Sequence, residues 1–387
     1  MKVTGVSTYV LGTSWRNLTI VEVHTDEGIT GLGEARMLNH TDALLGYLAE
    51  AVPTQIIGMD PFDVEALVYR MTREVYARAG EIAMSALATI EIACHDIQGK
   101  ALGLPVYKLL GGAVRDRVKA YANGWYQVER TPEEFALAAA GVVRRGYRAL
   151  KLDPFGPGTV ELDRAETRRS VSLVAAVRES VGPDVEIMIE MHGRFTPATA
   201  IRLADELAEY RPSWLEEPVP PENVAALATV TRAVKVPIAV GERMHTRYDY
   251  RELFERQAAD IIQTDITHSG GLLEAKKLAG TAETHYMLMA PHNVGGPIST
   301  AASIHFAATT PNFAIQENFN DFADPYVKVC EAGLPELTDG YFPLPDAPGL
   351  GIQLNREALA EHPRRQTYFN LFKEGWQYRQ AEVSPVG

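Results

Sequence analysis

The sequence predicts an α/β protein built on a (β/α)₈-type barrel, with a smaller α+β domain before it. The main observation is that after residue 118 short apolar runs alternate with helical patterns eight times, which is typical of a closed barrel rather than an open sheet. The chain also has 387 residues, more than one hydrophobic core usually absorbs. A barrel and a second, smaller domain account for both.

The first part of the chain changes from strand patterns to helical patterns. Residues 2–34 are β-rich and are interrupted by a turn signal at Asp26-Glu27-Gly28. From residue 43 to 110 the apolar period is helical. We therefore predict an α+β domain over residues 1–117.

Strand–helix alternation fills residues 118–323, the predicted barrel domain. Thr131-Pro132-Glu133-Glu134 is a good helix start, with a cap residue, a proline at the first helical position and early carboxylates. Residues 324–387 are rich in Pro and Gly and then helical, and we expect them to pack back on the first domain. The predicted strand ends are residues 121–123, 150–153, 187–190, 214–217, 238–242, 261–265, 287–292 and 314–317.

Charge and composition exclude some classes of partner. The net charge of −13 would repel a phosphate backbone, and no Lys/Arg run is present, so nucleic acid is not expected. Cys94 and Cys330 form no disulfide framework, and no apolar stretch suits a signal peptide or a membrane span. A cytoplasmic protein without a membrane partner is expected. A small anionic substrate remains compatible, because a divalent metal can reverse the local potential.

Three glutamates recur at one interval, each after a short apolar run. The interval is 26 residues from Glu190 to Glu216 (216 − 190) and again to Glu242 (242 − 216), close to one β/α unit. A single glutamate in such a place would be a solvated loop residue, but three at one phase converge at the end of a barrel. All-oxygen ligation with open positions suits a catalytic Mg²⁺. The sequence therefore predicts one Mg²⁺ held by these three residues.

Two histidines lie near the predicted metal. His292 follows the seventh strand and Asp265 ends the sixth, so the carboxylate could orient the imidazole as a general base. His192 lies two residues after Glu190, and residues i and i+2 share a face in a strand. We therefore expect His192 to act as proton donor to a leaving group rather than as a fourth metal ligand.

Four further side chains are predicted to face the same cavity. Lys151 and Asp153 end the second strand and Glu317 ends the eighth, where they could bind hydroxyl groups of a polar substrate. Arg243 directly follows Glu242 and is a candidate for anion binding. No dinucleotide, Walker A, HExxH or CxxC pattern is present, so nucleotide chemistry is not expected.

These residues resemble the enolase superfamily, in the branch of mandelate racemase and the sugar-acid dehydratases. The resemblance spans essentially the whole chain. The motifs that resemble gluconate- and galactonate-type dehydratases are Tyr121-Ala122-Asn123-Gly124-Trp125-Tyr126, Lys151-Leu152-Asp153-Pro154-Phe155-Gly156-Pro157, Glu190-Met191-His192-Gly193-Arg194-Phe195, Trp214-Leu215-Glu216-Glu217-Pro218, Gly241-Glu242-Arg243 and Gln316-Glu317-Asn318-Phe319.

The resemblance implies a modified (β/α)₇β barrel of the TIM type, with an α+β capping domain formed by the N-terminal segment and the C-terminal tail. It implies the same metal ligands, with His292 as base and Asp265 as its partner. A base of this kind acting beside Mg²⁺ is characteristic of this superfamily. It makes residues 13–17 a lid segment, with Trp15 touching substrate. Analogy of fold also suggests a homo-oligomer.

The expected reaction is dehydration of an aldonic acid to a 2-keto-3-deoxy acid. One departure bears on this: relatives that racemise usually carry a second base, Lys, where this chain has Asp153, which argues against two-base racemisation. Many relatives also have Asp where this chain has Glu190. Two alternatives remain: an epimerase or cycloisomerase acting on a carboxylate through the same enediolate, and a barrel that binds sugar acids without catalysis.

Overall fold

The computed structural model describes residues 1–381 and confirms the predicted fold class. A parallel barrel carries a separate antiparallel sheet and its helices over the end where the carboxyl ends of the strands lie, which we call the mouth. Within the described residues, no helix is long and apolar enough to cross a membrane.

The capping domain is an antiparallel sheet packed against a long buried helix. The strands are in the order β1-β2-β3, and β3 lies directly on the backbone of helix α3. This approach requires glycine, because a Cβ at Gly33 would lie 1.8 Å from the carbonyl oxygen of Thr89. The elements are β1 (Val3–Gly12), β2 (Asn17–Thr25), β3 (Thr30–Ala35), α1 (Thr41–Ala51), α2 (Val64–Tyr69), α3 (Glu81–Leu102) and α4 (Val106–Leu109).

The barrel alternates strands and helices in chain order. The helix start predicted at Pro132 is confirmed, and Thr131 caps it by accepting the N–H of Glu134. The strands are β4 (Arg117–Ala122), β5 (Ala149–Leu152), β6 (Glu186–Glu190), β7 (Trp214–Glu216), β8 (Ile238–Val240), β9 (Ile261–Ile262), β10 (Leu288–Met289) and β11 (Gln316–Asn318). The helices are α5 (Pro132–Arg144), α6 (Arg164–Val181), α7 (Pro197–Leu207), α8 (Val224–Ala233), α9 (Tyr250–Arg256), α10 (Leu272–Thr284) and α11 (Pro297–Thr309).

The parallel sheet runs from β10 back to β4 and then to β11, so the last strand pairs with the first. Backbone bonds of 2.8 Å close the ring, from Met289 N to the Asn312 carbonyl and from Ala314 N to the Met289 carbonyl. In residues 1–381, β11 is followed by short 3₁₀ turns rather than by an α-helix packed on the barrel. The repeat is therefore (β/α)₇β, as the family resemblance implied, and not the full eightfold repeat that alternation alone suggested.

The C-terminal segment contacts both parts of the molecule. Strand β13 pairs antiparallel with β4 of the barrel, while α12 lies against β1 of the capping domain. A 2.5 Å ion pair joins Arg356 to Glu22 of β2. The elements are β12 (Cys330–Ala332), β13 (Tyr341–Pro343), β14 (Gln353–Leu354) and α12 (Arg356–Glu361).

The last described residues are tied to the predicted lid. We call residues 13–17 the lid loop and residues 376–381 the tail. The Ser14 hydroxyl donates to the Arg379 carbonyl at 2.9 Å, and the Ala381 N–H donates to the Ser14 carbonyl at 3.0 Å. One wall of the mouth is thus made from two segments that lie far apart in the sequence.

Candidate metal centre and catalytic site

Three carboxylates meet at the mouth because neighbouring strands end there. Strands β6 and β7 end at Glu190 and Glu216, which are directly paired in the sheet, and Glu242 follows β8 by two residues. One oxygen atom from each side chain lies within 4.8 Å of the others. Glu190 and Glu216 are buried and Glu242 is half-buried. The structure therefore brings together the three predicted metal ligands.

Lys151, at the end of β5, lies among these acids. Its Nζ is 2.5 Å from an oxygen of Glu216, 3.3 Å from Glu190 and 3.0 Å from Glu317. Burial alone would lower the pKa of Lys151, but Glu216 and Glu317 raise it well above its usual value. The ammonium therefore stays charged and serves as a built-in counter-ion.

One lysine does not neutralise the whole cluster. Burial, and then the neighbouring Glu216, raise the pKa of Glu190 well above its usual value. Buried carboxylates that repel one another in this way would be stabilised by a further cation. Hard oxygen donors and excess negative charge together fit Mg²⁺.

His292 lies between two carboxylates. Its Nδ1 is 2.8 Å from Oδ2 of Asp265, and its Nε2 is 3.0 Å from Oε2 of Glu242. Burial alone would lower the pKa of His292, but Glu242, Glu317 and Asp265 raise it above its usual value. Asp265 is itself oriented by the backbone N–H and hydroxyl of Thr267, at 2.9 and 2.7 Å. This pair suits a general base whose ring is held in one orientation.

His192 lies beside the carboxylates, but not for the reason that the sequence suggested. Strand β6 ends at Glu190 and His192 has a left-handed backbone with φ 47°, so strand alternation does not apply to it. Its backbone N–H donates to Oε1 of Glu190 at 2.6 Å. The imidazole Nδ1 is 2.5 Å from Oδ2 of Asp153, and the ring packs edge-on against Trp376 of the tail at 5.5 Å between centroids.

The five side chains predicted to bind substrate take different places. Lys151 lies among the carboxylates as described, and the Asp153 carboxylate is held by His192 and by Arg194. Glu317 accepts from the Asn123 side chain at 2.7 Å and from the Asn293 N–H at 2.6 Å.

The other two lie nearer the surface. Arg243 is paired with Glu217, at 2.8 Å from Nε. Trp15 of the lid loop packs on Phe319 and Phe369, with ring centroids 6.0 and 5.0 Å apart.

Sequence reasoning missed several groups of the site. Arg194 and Glu217 stand inside motifs that were singled out, so their place could have been anticipated from the neighbouring ligands. Trp376 and Arg36 come from the tail and the capping domain, and no local sequence signal assigns them to a barrel site. Arg36 lies against His292, with its Nη2 3.3 Å from the ring Nδ1.

The exposed fractions of the side chains show where the site opens. The side chains of Glu190 and Glu216 are almost fully buried. The exposed fraction of the side chain is 15% for Glu242 and for Arg36, and 17% for His192. It is 37% for Arg243. A ligand would therefore meet two arginines and a histidine before it reaches the buried acids.

Two family models match the chain. Residues 6–111 match the N-terminal domain of the mandelate racemase / muconate lactonizing enzyme family, and residues 134–358 match the enolase C-terminal domain-like family.

Curated relatives cover most of the chain. The D-gluconate/D-galactonate dehydratase of Picrophilus torridus is 35% identical over 347 residues, which are 88% of this chain and 87% of that protein. The D-xylonate dehydratase of Haloferax volcanii is 36% identical over 354 residues, 89% of this chain and 84% of that protein.

Solved structures superpose over most or all of the chain. A mandelate racemase/muconate lactonizing enzyme from Sulfitobacter sp. has a TM-score of 0.90 at 32% identity and covers 100% of both chains. A mandelate racemase/muconate lactonizing enzyme-like protein from Roseovarius sp. has a TM-score of 0.89 at 33% identity, covering 94% of this chain and 96% of that one.

Proposed function

The chain belongs to the mandelate racemase / muconate lactonizing enzyme family of the enolase superfamily, and from this membership we propose that it is a Mg²⁺-dependent dehydratase of aldonic acids. The predicted superfamily and the predicted enzyme class, a hydro-lyase, are confirmed by the relatives. The substrate class, the metal and the residue roles are our proposal. The observation that carries it is the pair of histidines, His192 and His292, bordering one cluster of three carboxylates.

The reaction we propose is an elimination that needs one base and one acid. His292 removes the C2 proton of the acid, and His192 protonates the departing 3-hydroxyl group, so that water leaves and the resulting enol becomes a 2-keto-3-deoxy acid. Mg²⁺ held by Glu190, Glu216 and Glu242 would stabilise the negative charge that grows on the substrate carboxylate, by several kcal/mol.

Other side chains prepare these two histidines. Asp265 orients the His292 ring and Asp153 orients the His192 ring, each through Nδ1. Lys151 offsets part of the negative charge of the buried acids, and Glu317 holds its ammonium group at 3.0 Å. Arg243, the most exposed of the predicted contacts, would bind the polyol chain near the opening, together with Trp15 of the lid loop.

An epimerase is the second candidate, because two histidines near one carbon could also act as paired bases. It would exchange the C2 proton with solvent without losing water. Asp153 does not serve as such a base here, since its carboxylate is held by His192 and Arg194.

The test is a screen of aldonic and aldaric acids with Mg²⁺, scored by formation of a 2-keto acid and by exchange of the C2 proton in D₂O. We expect His292→Asn to abolish exchange and dehydration. We expect His192→Asn to lower dehydration by about 100-fold or more while exchange continues, since general acid catalysis contributes about 10²–10⁴-fold. Chelation of the metal by EDTA should stop both.

The matched control is His40→Asn, which changes an exposed histidine of the capping domain and should leave both rates unchanged. Full activity of His292→Asn would show that the base is another group. Exchange without any loss of water, in the unmodified protein, would favour the epimerase.

A further inference from the structure

Arg36 of the capping domain contacts the proposed base, His292. It directly follows β3, and its Nη2 lies 3.3 Å from Nδ1 and 3.5 Å from Nε2 of His292. The same nitrogen is 3.5 Å from Oδ2 of Asp265. The capping domain thus places a permanent positive charge beside His292, the group that would take a proton.

These distances place Nη2 of Arg36 over the face of the imidazole. In the plane of the ring, Nδ1 already faces Asp265 and Nε2 already faces Glu242. A donor nearly equidistant from both nitrogens cannot lie along either lone pair. An in-plane approach between them would collide with the intervening C–H group. The Nη2 of Arg36 therefore lies over the face of the ring rather than in its plane.

In this position, Arg36 has donors without a partner. A guanidinium has five N–H donors in a planar fork, and the buried Nε of Arg36 has no hydrogen-bond partner in residues 1–381. Its one carboxylate neighbour within 4.0 Å in that part of the chain is Asp265, which already serves His292 and Thr267. Arg194 and Arg243 differ in that each donates directly to a carboxylate, Asp153 and Glu217, although the buried Nε of Arg194 also has no partner in residues 1–381.

The chemistry of the proposed reaction indicates what would use these donors. If His292 removes the C2 proton, C2 lies next to the ring, and the acid group at C1 is one bond away. A guanidinium fork on the ring face is within reach of that group, and it matches a carboxylate in both charge and geometry.

We propose that Arg36 is a substrate-binding residue of the catalytic site, and that its guanidinium holds an oxygen of the substrate's C1 carboxylate. This inference rests on the proposed function, since it takes His292 as the base. It assigns recognition of the acid group partly to the capping domain. The covering domain therefore takes part in the reaction and does more than exclude water.

The test compares binding of an acid with binding of its uncharged amide. D-gluconate, D-galactonate and D-xylonate, and the carboxamide of each, are titrated by calorimetry with Mg²⁺ into protein carrying His192→Asn, in which elimination is expected to be at least about 100-fold slower. We expect Arg36→Met to weaken binding of the acid at least tenfold and binding of the amide less than twofold. Arg36→Lys keeps the charge, so its affinity for the acid should lie between that of Arg36→Met and that of the protein with Arg36 intact.

A residue that only positions His292 would behave differently. It would lower the rate of C2 exchange but leave the affinity for the acid unchanged, and that result would overturn the inference. Equal weakening of acid and amide would also overturn it. Partial recovery of acid binding when methylguanidinium is added to Arg36→Ala would support it.

The outcome can be separated from the fate of the proposed function. If the protein with Arg36 intact bound and dehydrated an acid while Arg36→Met kept its affinity, the inference alone would fail. If the protein with Arg36 intact bound none of the acids, both would fail. Arg148→Met is the matched control, because Arg148 is exposed, pairs with Asp339, and should not affect either ligand.

Discussion

At the scale of single residues, Asp153 shows how one buried carboxylate organises its side of the site. Oδ2 lies 2.5 Å from Nδ1 of His192 and also accepts from Arg194, while Oδ1 accepts the N–H of Phe155 at 2.9 Å. Burial alone would raise the pKa of Asp153, but Arg194 and His192 lower it. The group is therefore an anion that holds the proposed acid in place.

Asp153→Asn should separate the two halves of the reaction. The amide has nearly the same shape, but it carries no charge and offers hydrogens to Arg194, which can only donate. Burial already lowers the pKa of His192 and Asp153 opposes that, so the variant's imidazole would hold its proton less well. We expect dehydration to fall by about 100-fold and C2 exchange by less than about threefold.

Both rates can be followed by NMR in D₂O. Asp339→Asn is the control, because Asp339 also pairs with an arginine, Arg148, but is exposed and outside the proposed site. An equal loss of exchange and dehydration in Asp153→Asn would argue that Asp153 supports the whole site rather than His192.

The residues of the site could be found in the sequence more readily than their partners. The three glutamates, His292 and Asp265 were identifiable because each lies at the end of a strand, and the closed barrel brings such ends together. Lys151 was recognised as facing the cavity. Its ion pairs across the barrel were not predictable, because they depend on strand stagger and side-chain reach rather than on spacing along the chain.

At the scale of elements, the contact of β3 with α3 sets how closely the parts of the capping domain pack. Gly31 and Gly33 lie against the helix. A Cβ at Gly31 would lie 2.0 Å from the carbonyl oxygen of Ala93, and a Cβ at Gly33 would lie 1.8 Å from that of Thr89. Backbone cannot move aside as a flexible side chain can. Glu34 is the next residue of β3 and Arg36 directly follows the strand, so this contact also positions the groups that meet the barrel.

Gly33→Ala should therefore destabilise the protein by about 1–3 kcal/mol or more, because the added Cβ overpacks a tight core. Gly46→Ala provides the opposite case, since Gly46 lies exposed within α1 and a Cβ there has no neighbour within 4 Å. That variant should be more stable by about 0.5–1 kcal/mol, because alanine favours a helix. Urea unfolding of both variants is the measurement, and a Gly33→Ala midpoint equal to that of the unmodified protein would contradict the packing argument.

Elements were predictable where the local pattern is strong. The strands of the barrel lie where apolar runs were noted, and the helix at Pro132 begins at its cap. The sequence did not distinguish an eighth helix from the turns that follow β11, because what ends the repeat is packing of the C-terminal segment on the barrel and on β1. The sequence does not predict the left-handed backbone at His192, because such a backbone is uncommon for any residue other than glycine, even though histidine adopts it more often than most.

At the scale of the whole molecule, the capping domain and the barrel meet through buried charges. Glu34 is fully buried and accepts the backbone N–H of Gly296, at the start of α11. Arg16 of the lid loop donates to the Val294 carbonyl, two residues after His292. The loop that carries His292 is therefore held by groups of the other domain.

The buried Glu34 should make stability depend on pH. Burial raises the pKa of Glu34 to about 7 from an unfolded value of 4.5, although the N–H groups of Gly296 and Ser299 oppose the shift. Below pH 4.5 both states hold the proton; between 4.5 and about 7 the folded state alone holds it, so the free energy of unfolding falls as pH rises. The total loss from this group is about 3 kcal/mol and is complete above pH 7.

Urea unfolding at pH 5 and pH 7.5 measures this effect. From pH 5 to pH 7.5, the free energy of unfolding of the unmodified protein should fall by about 2–3 kcal/mol more than that of Glu34→Gln, since a glutamine has no proton to release. Glu27→Gln, an exposed residue of the same domain, should keep the pH dependence of the unmodified protein. Identical pH dependence in Glu34→Gln would show that Glu34 is already ionised at pH 5 when the protein is folded.

The arrangement of the domains is the part that the sequence alone predicts least. The family resemblance implied a capping domain, but nothing in the stretch Gly33-Glu34-Ala35-Arg36 indicates that one residue would cap α11 and another would contact the ring of His292. Contacts between domains depend on how the surfaces of two folded domains fit together, and a short sequence motif contains no information about that fit.

The bond between the lid loop and the tail has a consequence for how the protein is made. Strands β4 to β11 can leave the ribosome and fold while the partner of Ser14 is still inside the exit tunnel. A chain at that stage holds its acids and histidines in place but lacks a side of the entrance. We expect turnover to begin only after the Trp376–Arg379 stretch has left the ribosome.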